Sequence, residues 1–130
     1  MHPTSYPVFR TPGDLPNGGR ILLYGAGAAG VAFDTYLDLL GIRAAAFLDT
    51  HRAGTLAGKP VFRFDDYMAA HRQPDDVIVI TSSFHREIAG ILRAREVQAA
   101  VNAAAFATSI GDYHSRLLGL LEDGRIVLFR

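Results

Sequence analysis

The chain has 130 residues, 49% of them hydrophobic, and equal numbers of acidic and basic side chains give a formal net charge of zero. That length and composition fit one globular domain and exclude a disordered chain, and the balanced charge offers nothing to nucleic acid or to an anionic membrane surface. With no cysteine, disulfides, thiol nucleophiles and cysteine-type zinc sites are excluded as well.

Residues 1–19 carry Pro3, Pro7, Pro12 and Pro16 together with Gly13, Gly18 and Gly19. Prolines remove backbone donors, so this stretch is expected to be an arm, either laid over the domain or disordered. Residues 1–16 are expected to pack poorly unless a partner or a second copy covers them, so that their deletion is mild. No signal-peptide core and no membrane-spanning run is present, and a cytoplasmic location is the default expectation.

Residues 20–130 are expected to form the domain proper. Ile21–Tyr24 is apolar throughout, as a central parallel strand covered on both faces must be. A helix follows from Ala28 to about Leu40, with Phe33, Leu37 and Leu40 as its buried stripe, Asp34 and Asp38 facing water, and Gly41 ending it. Ala44–Leu48 is the second strand and ends in Asp49. His51 to Pro60 reads as a loop, Val61 and Phe62 as a short strand, and Asp65 as the cap of a helix through Arg72. Val77–Ile80 is a β-branched strand. A helix from Phe84 to Arg95 follows, with Phe84, Ile88, Ile91 and Leu92 inward. Ala99–Val101 is a further short strand. Asp112 is expected to cap a last helix through Leu121, and Ile126–Phe129 to form a closing strand. The apolar residues of that last segment are expected to complete the sheet edge or to make a homodimer contact.

This alternation argues for the α/β class, a single doubly wound Rossmann-like domain with a mostly parallel sheet. The first strand then lies mid-sheet, with its outgoing turn beside the loop after Ile80, where ligands of open α/β sheets bind.

That turn carries Gly25, Gly27 and Gly30 in a GxGxxG arrangement between strand and helix, with an acid, Asp49, at the end of the next strand. Each part has a mechanical role in binding a dinucleotide. Gly25 allows the tight turn, Gly27 lets a pyrophosphate approach the backbone, and Gly30 lets the helix pack on the strand. The N–H groups of the first helical turn, at Ala28, Ala29 and Gly30, face the phosphate. Asp49 can accept hydrogen bonds from a ribose diol, favouring NAD over NADP; alternatively it closes an Asx-turn with Thr50 or His51. Arg52 suits a 2′-phosphate, which Asp49 would repel.

The hydroxyls of Thr81, Ser82 and Ser83 can bond a ribose, sugar or phosphate across the cleft, or Ser82 or Ser83 can cap the next helix. Arg86 can pair with a phosphate. The histidines have no metal-site spacing, and neither a hydrolase elbow nor a Tyr-x-x-x-Lys pair is present. The expected site therefore binds NAD(H) or a nucleotide sugar without a catalytic constellation. Two rivals remain. One is a small enzyme acting on a nucleotide sugar with His85 as acid–base, the other a ligand-free interaction domain whose glycines serve packing alone.

Residues 21–101 also resemble a known family. The resemblance lies in Leu23 to Gly27, in Phe47 to Asp49 followed by a loop, in Leu56 to Val61 with its Gly58, Lys59 and Pro60, and in Asp76 to Ile80. These are similar to the N-terminal nucleotide-sugar-binding domain of bacterial sugar O-acyltransferases. Related domains occur in polysaccharide-biosynthesis epimerases and dehydratases and beside sugar C-methyltransferases. Acyltransferase relatives carry Gly-Gly-His where this chain has Ala28, Ala29 and Gly30, and the hexapeptide-repeat β-helix that transfers the acyl group is not part of this sequence. The resemblance implies a nucleotide-binding module acting with a sugar- or polysaccharide-modifying enzyme.

Overall fold

The computed structural model describes residues 6–15 and 18–112. Its strands are β1 (Ile21–Tyr24), β2 (Ala46–Asp49), β3 (Gly54–Leu56), β4 (Lys59–Arg63), β5 (Val77–Ile80) and β6 (Ala100–Asn102). Its helices are α1 (Ala28–Leu39), α2 (Phe64–Asp66, running on into a π turn at Tyr67–His71), α3 (His85–Ala94) and α4 (104–112). The strands form one sheet in the order β3-β4-β2-β1-β5-β6, parallel except for the antiparallel β3–β4 pair. This is an α/β architecture consistent with a Rossmann-like fold.

Every residue of β1 and β5 is buried, which is why both read as unbroken apolar runs. Alternate side chains go to separate cores. Ile21, Leu23, Phe47, Val77 and Val79 pack with Phe33 and Leu37 of α1 and Ala107 of α4. Leu22, Tyr24, Leu48, Ile78 and Ile80 pack with Phe64 and Tyr67 and with Ile88 and Leu92 of α3. Since β1 pairs with β2 on one side and β5 on the other, the turn out of β1 leaves the middle of the sheet.

Several elements differ from the sequence expectation. The second strand begins at Ala46, opposite Leu22, and includes Asp49, which pairs with Arg63 of β4. The stretch 51–60 is not all loop. Gly54–Leu56 folds back on Lys59–Arg63 as a hairpin, turning through Ala57 and Gly58, both at positive φ. Asp65 lies inside α2 rather than capping it, and the cap position is Arg63. Leu40 is exposed at the end of α1, and Asp34, expected to face water, is 3% exposed. Asp34 accepts a 2.5 Å hydrogen bond from Lys59 Nζ, so the hairpin is clamped onto α1 by a largely buried ion pair. Asp112 lies within α4, whose start is marked by Asn102, whose side chain accepts from Ala104 N–H at 3.0 Å; the helix Asp112 was expected to cap falls outside the described residues. The expectations for 113–130, including the homodimer contact, lie outside the described residues.

Residues 6–15 of the N-terminal arm are laid over the domain, one of the two alternatives, but pack far more closely than expected. Val8 bridges Asn102 in parallel, Asn102 N–H bonds the Pro7 carbonyl at 2.7 Å, and Phe9 N–H bonds the Asn102 carbonyl at 2.9 Å. Residues 7–9 therefore line the outer edge of β6. Phe9 is 2% exposed, edge-on to Phe33 and Phe106 with ring centroids 5.2 and 5.0 Å away. Tyr6 adds a 2.6 Å hydrogen bond from its hydroxyl to the Val97 carbonyl.

At the opposite end of the strands from the glycine turn, Asp76 gathers four hydrogen bonds. They come from Nε and Nη2 of Arg20, from the Tyr67 hydroxyl and from Gln73 N–H, all between 2.8 and 2.9 Å. Burial pushes the Asp76 carboxyl up, but these donors outweigh it and hold it below its ordinary value. Burial and the Asp76 carboxylate together raise the Tyr67 phenol strongly. No helix among the described residues is long and apolar enough to cross a membrane.

Candidate functional site

The three glycines of the turn do different things. Gly25 has φ +141, and a Cβ there would lie 2.7 Å from Thr81 Oγ1 and 3.0 Å from Ser82 N. A Cβ on Gly30 would lie 2.0 Å from the Gly25 carbonyl oxygen. The fold needs glycine at both positions. Gly27, the N-cap of α1, has φ −118, which any residue adopts, and nothing lies within 4 Å of its Cβ position. The first turn of α1 bears no acidic side chain, so the helix supplies no carboxylate of its own to offset the positive end of its dipole.

These roles separate in experiment. Gly30→Ala is expected to lose about 2–3 kcal/mol of stability, because one backbone must move off another. Gly27→Ala is expected to leave the urea midpoint nearly unchanged. Equal midpoints for the two variants would contradict the assignment.

A cavity of about 390 Å³ opens beside this turn, lined by Gly25, Asp49, Thr50, Ser82, Phe84 and Glu87 among others. A larger one, about 550 Å³, lies at the other end of β5 and β6, between Gly18, Gly19, Asp75 and Gln98–Val101. It is distant from the glycine turn, and we place the site at the smaller cavity, where the carboxyl ends of the parallel strands converge.

Asp49 stands at the end of β2. Its Oδ1 accepts from the N–H groups of His51 and Arg52, both at 2.9 Å, so the Asx-type turn forms. Oδ2 lies 3.6 Å from the Arg52 guanidinium. Burial raises the Asp49 carboxyl, and these donors more than reverse the shift, leaving it below its usual value and ionised. Arg52 also donates through Nη2 to the Ala26 carbonyl, tying the β2–β3 loop to the glycine turn. The Tyr24 hydroxyl and Thr50 Oγ1 lie 2.8 Å apart and brace the same loop.

Thr81 faces inward, not into the cavity. It is fully buried, and its hydroxyl lies 3.4 and 3.3 Å from the carbonyl oxygens of Tyr24 and Gly25. It fixes the turn from below. Ser82 lines the cavity, and its Oγ accepts from Phe84 N–H at 3.1 Å, leaving its own proton free to donate outward. Ser83 and Arg86 lie one step aside, in a recess of about 300 Å³ with Phe84, His85 and Glu87. His85 Nδ1 is 3.3 Å from the Asn102 side-chain amide.

The structure thus brings Gly25, Asp49 and Ser82 to one cavity, holds Gly27, Ala28 and Ala29 on the adjoining turn, and places Ser83 and Arg86 in the neighbouring recess. It also adds Phe84, which the helical pattern assigned to the core. Phe84 is 65% exposed. It sits at the N-cap, one residue before the periodicity of α3 begins, and that cap position was the available signal. Among the described residues no group of three or more metal-ligating side chains converges. The chain matches no family model, no curated protein and no solved structure, so the geometry of the site carries the functional argument.

Proposed function

We propose that this chain is a doubly wound, Rossmann-like module that binds a nucleotide-type small molecule, NAD(H) or a nucleotide sugar. In this reading the phosphates lie on the Gly25–Gly30 turn, against the N–H groups of α1. The ribose lies toward Asp49 Oδ2, and the rest of the ligand lies across the cavity toward Ser82. The resemblance to nucleotide-sugar-binding domains supports a place beside a sugar- or polysaccharide-modifying enzyme.

One observation carries the reading. Of the three glycines in the turn, Gly27 is the one that neither strain nor crowding demands, and a pyrophosphate approaching the backbone would demand it. Arg52, anchored to that turn by the Ala26 carbonyl, adds a cation nearby.

The test is calorimetry and thermal shift with NAD, NADP, UDP, a UDP-sugar and S-adenosylmethionine, on wild type and on Gly27→Val. Wild type is expected to be stabilised by a nucleotide, and Gly27→Val to keep its circular dichroism and lose binding. Undiminished affinity in Gly27→Val would overturn the phosphate role. If no ligand shifts wild type, the glycines serve packing and the domain is an interaction module.

A further inference from the structure

The wall that α3 presents to the 390 Å³ cavity is unlike the wall across from it. Asp49, Thr50 and His51 give the β2 side polar groups. The α3 side gives the apolar Phe84, Ile88 and Ile91 and one acidic residue, Glu87, which borders both the cavity and the adjoining recess. The Phe84 backbone is fixed, its N–H on Ser82 Oγ and its carbonyl accepting from Ile88 N–H at 3.1 Å. Its ring, by contrast, has no aromatic partner among the described residues and is exposed, whereas Phe47, the other phenylalanine there without a ring partner, is fully buried. The Glu87 side chain likewise has no hydrogen bond or ion pair among the described residues.

A large aromatic face held at a cavity mouth by a rigid backbone offers a stacking platform, and every nucleobase has a face to stack. A carboxylate beside it accepts hydrogen bonds and donates none. It favours a base edge of amino or imino N–H groups and repels one flanked by carbonyl oxygens. Adenine and guanine carry an exocyclic amino group, whereas uracil places its single N–H between two carbonyls. A purine also covers more of the ring than a pyrimidine.

Resting on the nucleotide reading above, we propose that Phe84 and Glu87 are the base-reading side of the site, and that they select an aminopurine nucleotide over a uridine nucleotide.

The sequence has no tryptophan, so Phe84→Trp installs a single indole reporter at the platform. Its emission is expected to fall on titration with ADP and to stay constant with pyrophosphate. By calorimetry, wild type is expected to bind ADP more tightly than UDP. Phe84→Ala should weaken ADP about tenfold while leaving pyrophosphate unchanged, and Glu87→Gln should narrow the gap between ADP and UDP. Because Phe84 is exposed, its variants should keep the wild-type circular dichroism. A wild type that prefers UDP, or a Phe84→Ala that binds ADP as before, overturns this inference and leaves the nucleotide reading standing. A wild type that binds neither nucleotide nor pyrophosphate overturns both.

Discussion

Deleting residues 1–10 is expected to convert the domain into an aggregating chain. Phe9 fills the space between Phe33, Tyr36 and Phe106, and truncating a buried phenylalanine costs about 3–5 kcal/mol. Removing the segment also uncovers the backbone groups of Asn102 that Pro7 and Phe9 now satisfy, leaving β6 as an open edge able to pair with another chain. Domains of this size are stable by only about 5–15 kcal/mol, so the two losses together take most of the margin. Phe9→Ala isolates the packing part and should lower the unfolding free energy in urea by about 3–5 kcal/mol. A truncated chain that stays monomeric in light scattering, with an unchanged urea midpoint, would show that the arm adds nothing.

Asp76→Ala is expected to cost about 3–4 kcal/mol, since it strips four donors of one acceptor and leaves the Tyr67 hydroxyl buried without a partner. Arg20 is partly exposed and recovers some hydration, which keeps the loss below that of a fully buried pair. The same carboxylate sets an acid limit. Its folded-state affinity for protons is reduced, so the stability it contributes is complete above the ordinary carboxylate value. That stability is lost as pH falls through the lower folded value. Wild type should therefore lose stability more steeply than Asp76→Ala below about pH 4. Parallel pH profiles for the two proteins would refute this account.

What could be read from the chain and what could not divide on physical grounds. Ile21–Tyr24 and Val77–Ile80 were legible because strands buried on both faces admit only apolar residues. The glycine turn was legible because the positive φ at Gly25 and the approach of Gly30 to the Gly25 carbonyl are set within six residues. Asp34 was misread because periodicity sends an acid to water, and its partner Lys59 arrives from an edge hairpin 25 positions away. That hairpin was hidden by its brevity and by the exposure of Gly54 and Thr55. The packing of the arm was underestimated because its prolines look incompatible with pairing. An edge segment needs donors only on its inner side, though, and there Pro7 supplies a carbonyl while Phe9 supplies the N–H. Within the site, Asp49 and Ser82 were found by position along the strands. Thr81 was assigned outward because sequence cannot tell which of three consecutive hydroxyls turns inward.

Lys59 is the only lysine in the sequence, and its ammonium group is held by Asp34 in a largely buried setting. Acylation by an amine-directed reagent therefore has a single side-chain target, and that target becomes reactive when the β3–β4 hairpin lifts away from α1. The rate of its labelling is a clock for that one opening. Asp34→Asn should speed the clock without touching the glycine turn, giving a measure of how firmly this edge of the sheet is shut.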